Sequence, residues 1–250
     1  MKALLFAAGL GNRMRPLTDT TPKPLLVAGG KRLIEWHLER LAASGIRDVV
    51  INIAHLAKQF PATLGDGPRY GVRIQYSREG DVPLETGGGM LHAIALLGDA
   101  PFLAINADTF TDFDFACLPA TPGGVAELVL VDNPPQHPHG DFGIDANGKL
   151  LPRMDSPGAT HVLTFAGIGV YRPEILRNWR AVIGDTEGSA ATPPRFSLTP
   201  LLRAAIARGD MSWRYHRGTW TDVGTPERLA ELDTRLQQQH QPRINTDSHG

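Results

Sequence analysis

The chain has 250 residues, 25 basic against 26 acidic for a formal net charge of -1, and 42% of them are hydrophobic. That length suits one large α/β domain or two small ones with a core of ordinary size. The balanced charge, without a long basic run, excludes a nucleic-acid partner or an anionic-membrane surface and makes any anion site a local feature.

The apolar residues 3–7 predict the first core strand. The run is too short for a signal peptide and ends in Gly-Asn-Arg rather than a small-residue cleavage site. No stretch approaches the roughly 20 apolar residues that cross a bilayer, so a soluble chain with no membrane partner is expected. Beyond the strand, periodicity predicts a helix over residues 33–43 closed by Gly45, a strand at 49–53, a short helix at 56–64 and a strand at 72–76. A helix at 88–97 and a strand at 102–106 follow. This alternation predicts an α/β fold, a Rossmann-like, mostly parallel sheet with helices on both faces. His37 falls among the apolar positions of the first helix and reads as a satisfied core or edge residue. The only cysteine, Cys117, excludes an intramolecular disulfide and a cysteine-rich zinc centre. It fits a reducing cytoplasm and reads as a small buried residue.

After residue 118 the texture changes. A strand is predicted at 126–131, then a Pro/His segment at 134–140, a hairpin around Asn147-Gly148, a strand at 162–171 and a return of helix near Pro173. Helices at 198–208 and 226–237 enclose strands at 213–216 and 219–222. Residues 236–250, rich in glutamine and poor in apolar side chains, predict a disordered tail. With no hexapeptide repeat, no β-helix domain is expected.

Chemistry concentrates where the first strand ends. Gly9 and Gly11 let bare backbone approach a polyphosphate, Arg13 presents a planar fork of donors, and Lys23 adds a point charge held between Pro22 and Pro24. A Walker loop needs Gly-Lys-Ser/Thr, which is missing, and a dinucleotide fingerprint needs a third glycine where Met14 stands. A dehydrogenase would also need an acidic ribose ligand at a strand end, whereas Glu35 and Glu39 fall on a helix. Asp108 leaves the sheet at the C-terminal edge of strand 102–106, where open α/β sheets bind ligands; it reads either as a magnesium ligand or as a helix cap before residues 109–117.

The combination Ala7-Ala8-Gly9-x-Gly11-x-Arg13-Met14-x-Pro16-Leu17-Thr18, followed by Pro22-Lys23-Pro24-Leu25, resembles the signature of the sugar-1-phosphate nucleotidylyltransferases, and the resemblance runs from residue 2 to about 232. It implies transfer of a nucleotidyl group from a nucleoside triphosphate to a sugar 1-phosphate, with pyrophosphate released and Mg2+ assisting. Residues 1–235 would form one such domain, with 1–118 mainly on the nucleotide side and 119–235 mainly on the sugar side. Gly9, Leu10, Gly11, Asn12, Arg13 and Lys23 would hold the triphosphate, with Arg13 and Lys23 catalytic. No protein nucleophile or general base is implied, because the attacking oxygen is already a phosphate anion. Trp220-Thr221-Asp222-Val223-Gly224-Thr225-Pro226 is similar to the family's W-x-D-x-G-T-P segment, which makes Asp222 the second metal ligand beside Asp108; otherwise Asp222 merely sits near a turn while Thr225 caps the last helix. Pro83-Leu84-Glu85-Thr86-Gly87-Gly88 is similar to the family's base-facing loop. That implies free amides near Gly87 and an acceptor in Glu79, unless the glycines only open the helix.

On the sugar side the resemblance points to Asn106, Asp141, Gly143 and Trp220, with His137, His139 and His161 as loop or substrate-contact residues. The family's Glu-Lys-Pro is replaced by Leu151-Pro152-Arg153-Met154-Asp155, where Arg153 would substitute as phosphate clamp, and its Asn-Ala-Gly by Phe165-Ala166-Gly167. With L-E-T-G-G-G, G-D-F and F-S-L-T-P-L-L-R, these departures resemble the N-acetylmuramate-1-phosphate uridylyltransferase branch, so UTP and N-acetylmuramate 1-phosphate are the expected substrates, in the cytoplasm. Mannose- or glucose-1-phosphate transfer with another base, and a catalytically silent nucleotide-sugar sensor, are the alternatives. Oligomeric state is left open.

Overall fold

The computed structural model describes residues 1–240. In chain order the elements are β1 (Lys2–Phe6), α1 (Leu17–Thr20), β2 (Val27–Ala28), β3 (Lys31–Arg32), α2 (Leu33–Ala43), β4 (Asp48–Ile53), α3 (Gln59–Leu64), β5 (Arg73–Arg78) and α4 (Glu85–Leu97). There follow β6 (Phe102–Asn106), β7 (Thr109–Thr111), β8 (Ala126–Val131), β9 (Phe142–Asp145), β10 (Leu150–Leu151) and β11 (Ala159–Tyr171). The chain then forms α5 (Trp179–Ile183), α6 (Glu187–Ala190), α7 (Thr199–Ala207), β12 (Met211–Tyr215), β13 (Trp220–Asp222) and α8 (Pro226–His240).

Strands β5, β4, β1 and β6 pair in parallel; β11 follows antiparallel to β6, and β8 and β12 complete that path, while β9 and β10 extend from the first half of β11. The mostly parallel sheet expected from the alternation is therefore present, with β11 the reversed strand between β6 and β8.

Both faces of the sheet are buried, and the strand period of two sorts the side chains. Ala3, Leu5, Val49, Ile51, Leu103 and Ile105 join the core under α2, whereas Leu4, Val50, Phe102 and Ala104 join the one under α4 and α7. Leu5 is fully buried, so its truncation to alanine would cost about 2–5 kcal/mol. At the end of α2, Gly45 takes φ 78° just past the last turn, the left-handed stop its position predicted.

Three expectations need correction. Residues 109–117 form β7 and a short 3-10 turn rather than a helix, because Thr109–Thr111 pairs with β13. Cys117 is exposed, its Sγ donating to the Asp114 carbonyl; the turn that carries it buries Phe115 instead. The tail does not begin at 236. Helix α8 continues to His240, with Leu232 and Leu236 buried against Ala28, Leu33, Phe110 and Val223. A single apolar stripe spaced four residues apart suffices to dock a helix whose other face is glutamine-rich; residues 241–250 lie outside the described residues.

Candidate active site

The glycine loop hangs from the C-terminal end of β1. The N–H groups of Gly9, Leu10 and Gly11 find no acceptor among the described residues, although unpaired amides are costly unless solvent or a ligand takes them. Gly11 adopts φ 66°, and a Cβ there would come within 2.8 Å of Thr18 Cγ2; the Thr18 hydroxyl donates to the Gly11 carbonyl at 2.9 Å. Gly9 has neither a positive φ nor any atom within 4 Å of an added Cβ, so what its missing side chain leaves is open space in the cleft. Arg13 is exposed and makes no side-chain hydrogen bond or ion pair among the described residues, while Met14 anchors the loop in the core.

Lys23, only 7% exposed, sends Nζ to 2.5 Å from Asp108 Oδ2. Asp222 reaches the same place through the β7–β13 ribbon, in which it pairs with Thr109, and the Val223 N–H donates to the Asp108 carbonyl. Arg228 and Gln136 both donate to Asp222 Oδ1. Gly224 makes room for the first of these, since a Cβ there would collide with the Arg228 guanidinium. Asp108 Oδ1 and Asp222 Oδ2 carry no hydrogen bond among the described residues. This pair of hard oxygens, beside an open cleft, suits a magnesium ion that takes one or two carboxylates and completes its shell with phosphates and water. Among the described residues no cluster of three or more His, Cys, Asp or Glu could hold a metal without such help.

Two adjoining cavities meet there. One, of about 350 Å³, is lined by Gly9, Gly11, Asn12, Arg13, Lys23, Glu79, Glu85, Thr86, Asn106 and Asp108. The other, of about 330 Å³, is lined by Arg13, Asn106, Asp108, Gln136, His137, Trp220 and Asp222. A bulge in β11 shapes the second: Gly167 at φ 71° leaves space for the Asn106 side chain, and the Ala166 carbonyl accepts from Trp220 Nε1 at 2.9 Å. Bulges commonly re-aim backbone beside active sites.

The structure therefore brings Gly9, Gly11, Asn12, Arg13, Lys23, Asn106, Asp108, Trp220 and Asp222 to one crevice. Others go elsewhere. Leu10 is exposed and absent from the lining, offering only its amide. The Gly87 N–H is not free: it and the Gly88 N–H donate to the Phe196 carbonyl, and a Cβ on Gly87 would lie 2.5 Å from the Phe196 ring. Glu85 and Thr86 line the cleft in its stead, Glu85 at φ 63°, a conformation that costs a non-glycine residue about 1–2 kcal/mol.

Glu79 reaches the cleft, but both of its oxygens are engaged, Oε1 by Asn52 Nδ2 at 2.6 Å and Oε2 by the Leu84 N–H at 2.8 Å. Burial pushes its carboxyl pKa up. Asn52 in turn accepts from the Ala7 N–H at 2.7 Å, so Glu79 clamps the end of β1 to the loop before α4. Gly143 lies inside β9 under the Arg153 carbonyl, and Arg153 pairs with Asp155 on the surface, outside the cleft. Asp141 lines a side cavity next to Asn106, its carboxylate held by His137 and by the Phe165 N–H. His161 sits in β11 beside Thr160 rather than in a loop.

Sequence reading missed Asn52, Glu85, Gln136 and Arg228. Asn52 left a trace, a polar residue inside the apolar run 49–53, and Gly224 before Thr225-Pro226 hinted at a neighbour needing space. Gln136 and the backbone of Glu85 left none.

A family model described as nucleotidyl transferase matches residues 2–239. The chain is 45% identical over 236 residues to the N-acetylmuramate alpha-1-phosphate uridylyltransferase of Neisseria meningitidis serogroup B, covering 92% of this chain and 96% of that one. It is 32% identical over 246 residues to the protein of the same name from Caulobacter vibrioides, covering 94% and 96%. A Bacillus anthracis crystal structure described as a glucose-1-phosphate thymidylyltransferase with a sucrose superposes with a TM-score of 0.76 over 95% of each chain at 20% identity, a likeness of fold. With the family model spanning nearly every described residue, and relatives alike along their whole length, the chain belongs to the nucleotidyl transferase family.

Proposed function

We propose that this enzyme transfers a uridylyl group from UTP to N-acetylmuramate 1-phosphate, releasing pyrophosphate. The observation that carries the reading is the convergence on one crevice of unpaired loop amides, Arg13, Lys23 and the carboxylates of Asp108 and Asp222. The relatives named for that reaction supply the choice of base and sugar.

In the reaction an oxygen of the sugar phosphate attacks the α-phosphorus in line. The new P–O bond forms as the α–β bridge bond breaks, and pyrophosphate carries the electron pair away. The amides of Gly9 to Gly11 and the Arg13 fork would hold the β- and γ-phosphates. Lys23, fixed by Asp108, would face the charge that gathers on the α-phosphoryl oxygens, a stabilisation set up before the reaction begins. Asp108 and Asp222 would hold Mg2+, which supplies charge neutralisation and orientation of the phosphates when bound. Asn106 and Trp220, which line the second cavity, would face the sugar phosphate. Because both reactants are anionic phosphates, no proton needs to be removed, and orientation with charge compensation accounts for the rate. A UTP-consuming reaction belongs in the cytoplasm, and cell-wall recycling is the proposed context. Among the described residues no helix is long and apolar enough to cross a membrane.

The test is pyrophosphate release from purified protein across four nucleoside triphosphates and the 1-phosphates of N-acetylmuramate, N-acetylglucosamine, glucose and mannose, with and without Mg2+. Highest kcat/KM for UTP with N-acetylmuramate 1-phosphate supports the reading. Preference for mannose or glucose 1-phosphate, or turnover in excess EDTA, refutes it.

A further inference from the structure

A third cavity, of about 170 Å³, opens beside the other two at Asn106, and its walls are mainly apolar: Phe6, Ala104, Phe142, Phe165, Leu198 and Leu202. Its rim carries Thr86, Thr199 and Arg203. Thr199, Leu202 and Arg203 sit at i, i+3 and i+4 of α7 and so share one face. That helix is held to the nucleotide side, because the Leu198 N–H donates to Thr86 Oγ1 at 3.0 Å. Arg203 is exposed and has no hydrogen bond or ion pair from its side chain among the described residues. Among the described residues that line the three adjoining cavities, Arg13 and Arg203 are thus the guanidiniums without a partner, and the triphosphate accounts for the first.

We propose that Arg203 binds a carboxylate carried by the sugar, the lactyl group on O3 of N-acetylmuramate, while the apolar wall receives its methyl and the N-acetyl group. The inference rests on the reading of N-acetylmuramate 1-phosphate as acceptor and adds the residue that selects it. A planar guanidinium at the mouth of an apolar pocket suits a carboxylate on a short arm, since it offers two parallel donors where water is partly excluded. Asp141, the one acidic side chain in this lining, has its oxygens taken by His137 and the Phe165 N–H, which leaves the Arg203 guanidinium for an anion. An uncharged N-acetylated sugar fills the apolar part of the pocket and leaves Arg203 unused.

Steady-state kinetics on the full chain test this, with UTP and Mg2+ saturating and N-acetylmuramate 1-phosphate compared with N-acetylglucosamine 1-phosphate, which differs only in lacking the lactyl ether. For Arg203→Met the ratio of kcat/KM for the acidic over the uncharged sugar falls about 10- to 100-fold, mostly through KM, the range expected for a lost charged hydrogen bond. Arg203→Lys, keeping the charge without the fork, recovers part of it. An unchanged ratio in Arg203→Met, or equal losses with both sugars, overturns the proposal. Wild-type protein showing no preference for the acidic sugar overturns the substrate reading itself, so the two failures are told apart.

Discussion

Replacing Lys23 by methionine separates a catalytic cation from a structural strut. The Lys23 side chain is 9% exposed and its Nζ lies 2.5 Å from Asp108 Oδ2, whereas the Asp108 side chain remains 39% exposed. Methionine keeps the apolar stem in place, and Asp108 regains water, so the broken pair costs on the order of 1 kcal/mol rather than the several lost when a fully buried pair is opened. For a chain of this size that is a melting shift of about 2–4 °C. The catalytic loss is larger. A preorganised donor facing charge that develops in the transition state contributes roughly 2.7–4 kcal/mol, so kcat falls about 10²- to 10³-fold. Single-turnover pyrophosphate release, paired with a thermal melt on the same preparation, reads both quantities. If kcat stays within about fivefold of wild type, Lys23 does not stabilise the transition state. A comparable loss of activity tracking a collapse of the melting transition would refute the argument from the other side.

Other outcomes follow from the same geometry. Asp108→Asn and Asp222→Asn should each raise the Mg2+ concentration for half-maximal activity by on the order of tenfold or more, read from activity against free Mg2+; unshifted curves would remove the pair from the metal. Gly9→Ala should melt like wild type, because its Cβ meets nothing within 4 Å, yet raise the KM for UTP. Gly87→Ala should do the reverse, since the 2.5 Å approach to Phe196 is overpacking that costs about 1–3 kcal/mol; calorimetry and UTP titration on both variants check the contrast. His37 is buried and its Nε2–H donates to the Thr109 carbonyl; burial lowers its pKa from 6.5 to about 4. The unfolded chain therefore takes up the proton first as pH falls. Its contribution is complete above pH 6.5 and is lost between there and pH 4, by about 3 kcal/mol. Urea midpoints at pH 7.5 and 4.5 should differ less in His37→Gln than in wild type, and an equal difference would contradict this.

The parallel heart of the fold was legible because each of its strands is an apolar run bounded by turn chemistry, and the glycine loop because Gly-x-Gly-x-Arg after such a run has few alternative uses. Lys23, Asp108 and Asp222 stand out for a similar reason, as charged residues at strand ends or between prolines, while Arg13 comes with the glycine loop itself. The departures have other origins. The family resemblance gives Gly87, Glu79 and Gly143 as ligand contacts, and partners that the motifs do not encode engage each of them: the Phe196 carbonyl takes the Gly87 N–H, Asn52 and the Leu84 N–H hold the Glu79 carboxylate at the edge of the cleft, and the Arg153 carbonyl takes the Gly143 N–H. Arg153 satisfies its charge locally with Asp155. The buried reading of Cys117 failed because a short turn has one inward position and Phe115 occupies it.

The amino-acid sequence by itself determined the strand and helix periods, the bare amides at the end of β1 and the chemical types gathered around them, because these depend on contacts within a few residues. Only the tertiary structure decided which amides and carboxylates remain free among the described residues, that β13 carries Asp222 beside Asp108, and that α7 sets Arg203, with no hydrogen bond or ion pair from its side chain among those residues, against the third cavity. Hydrogen-bonding capacity is spent pairwise across the whole molecule, and what a site can offer a ligand is what the rest of the chain has left unused.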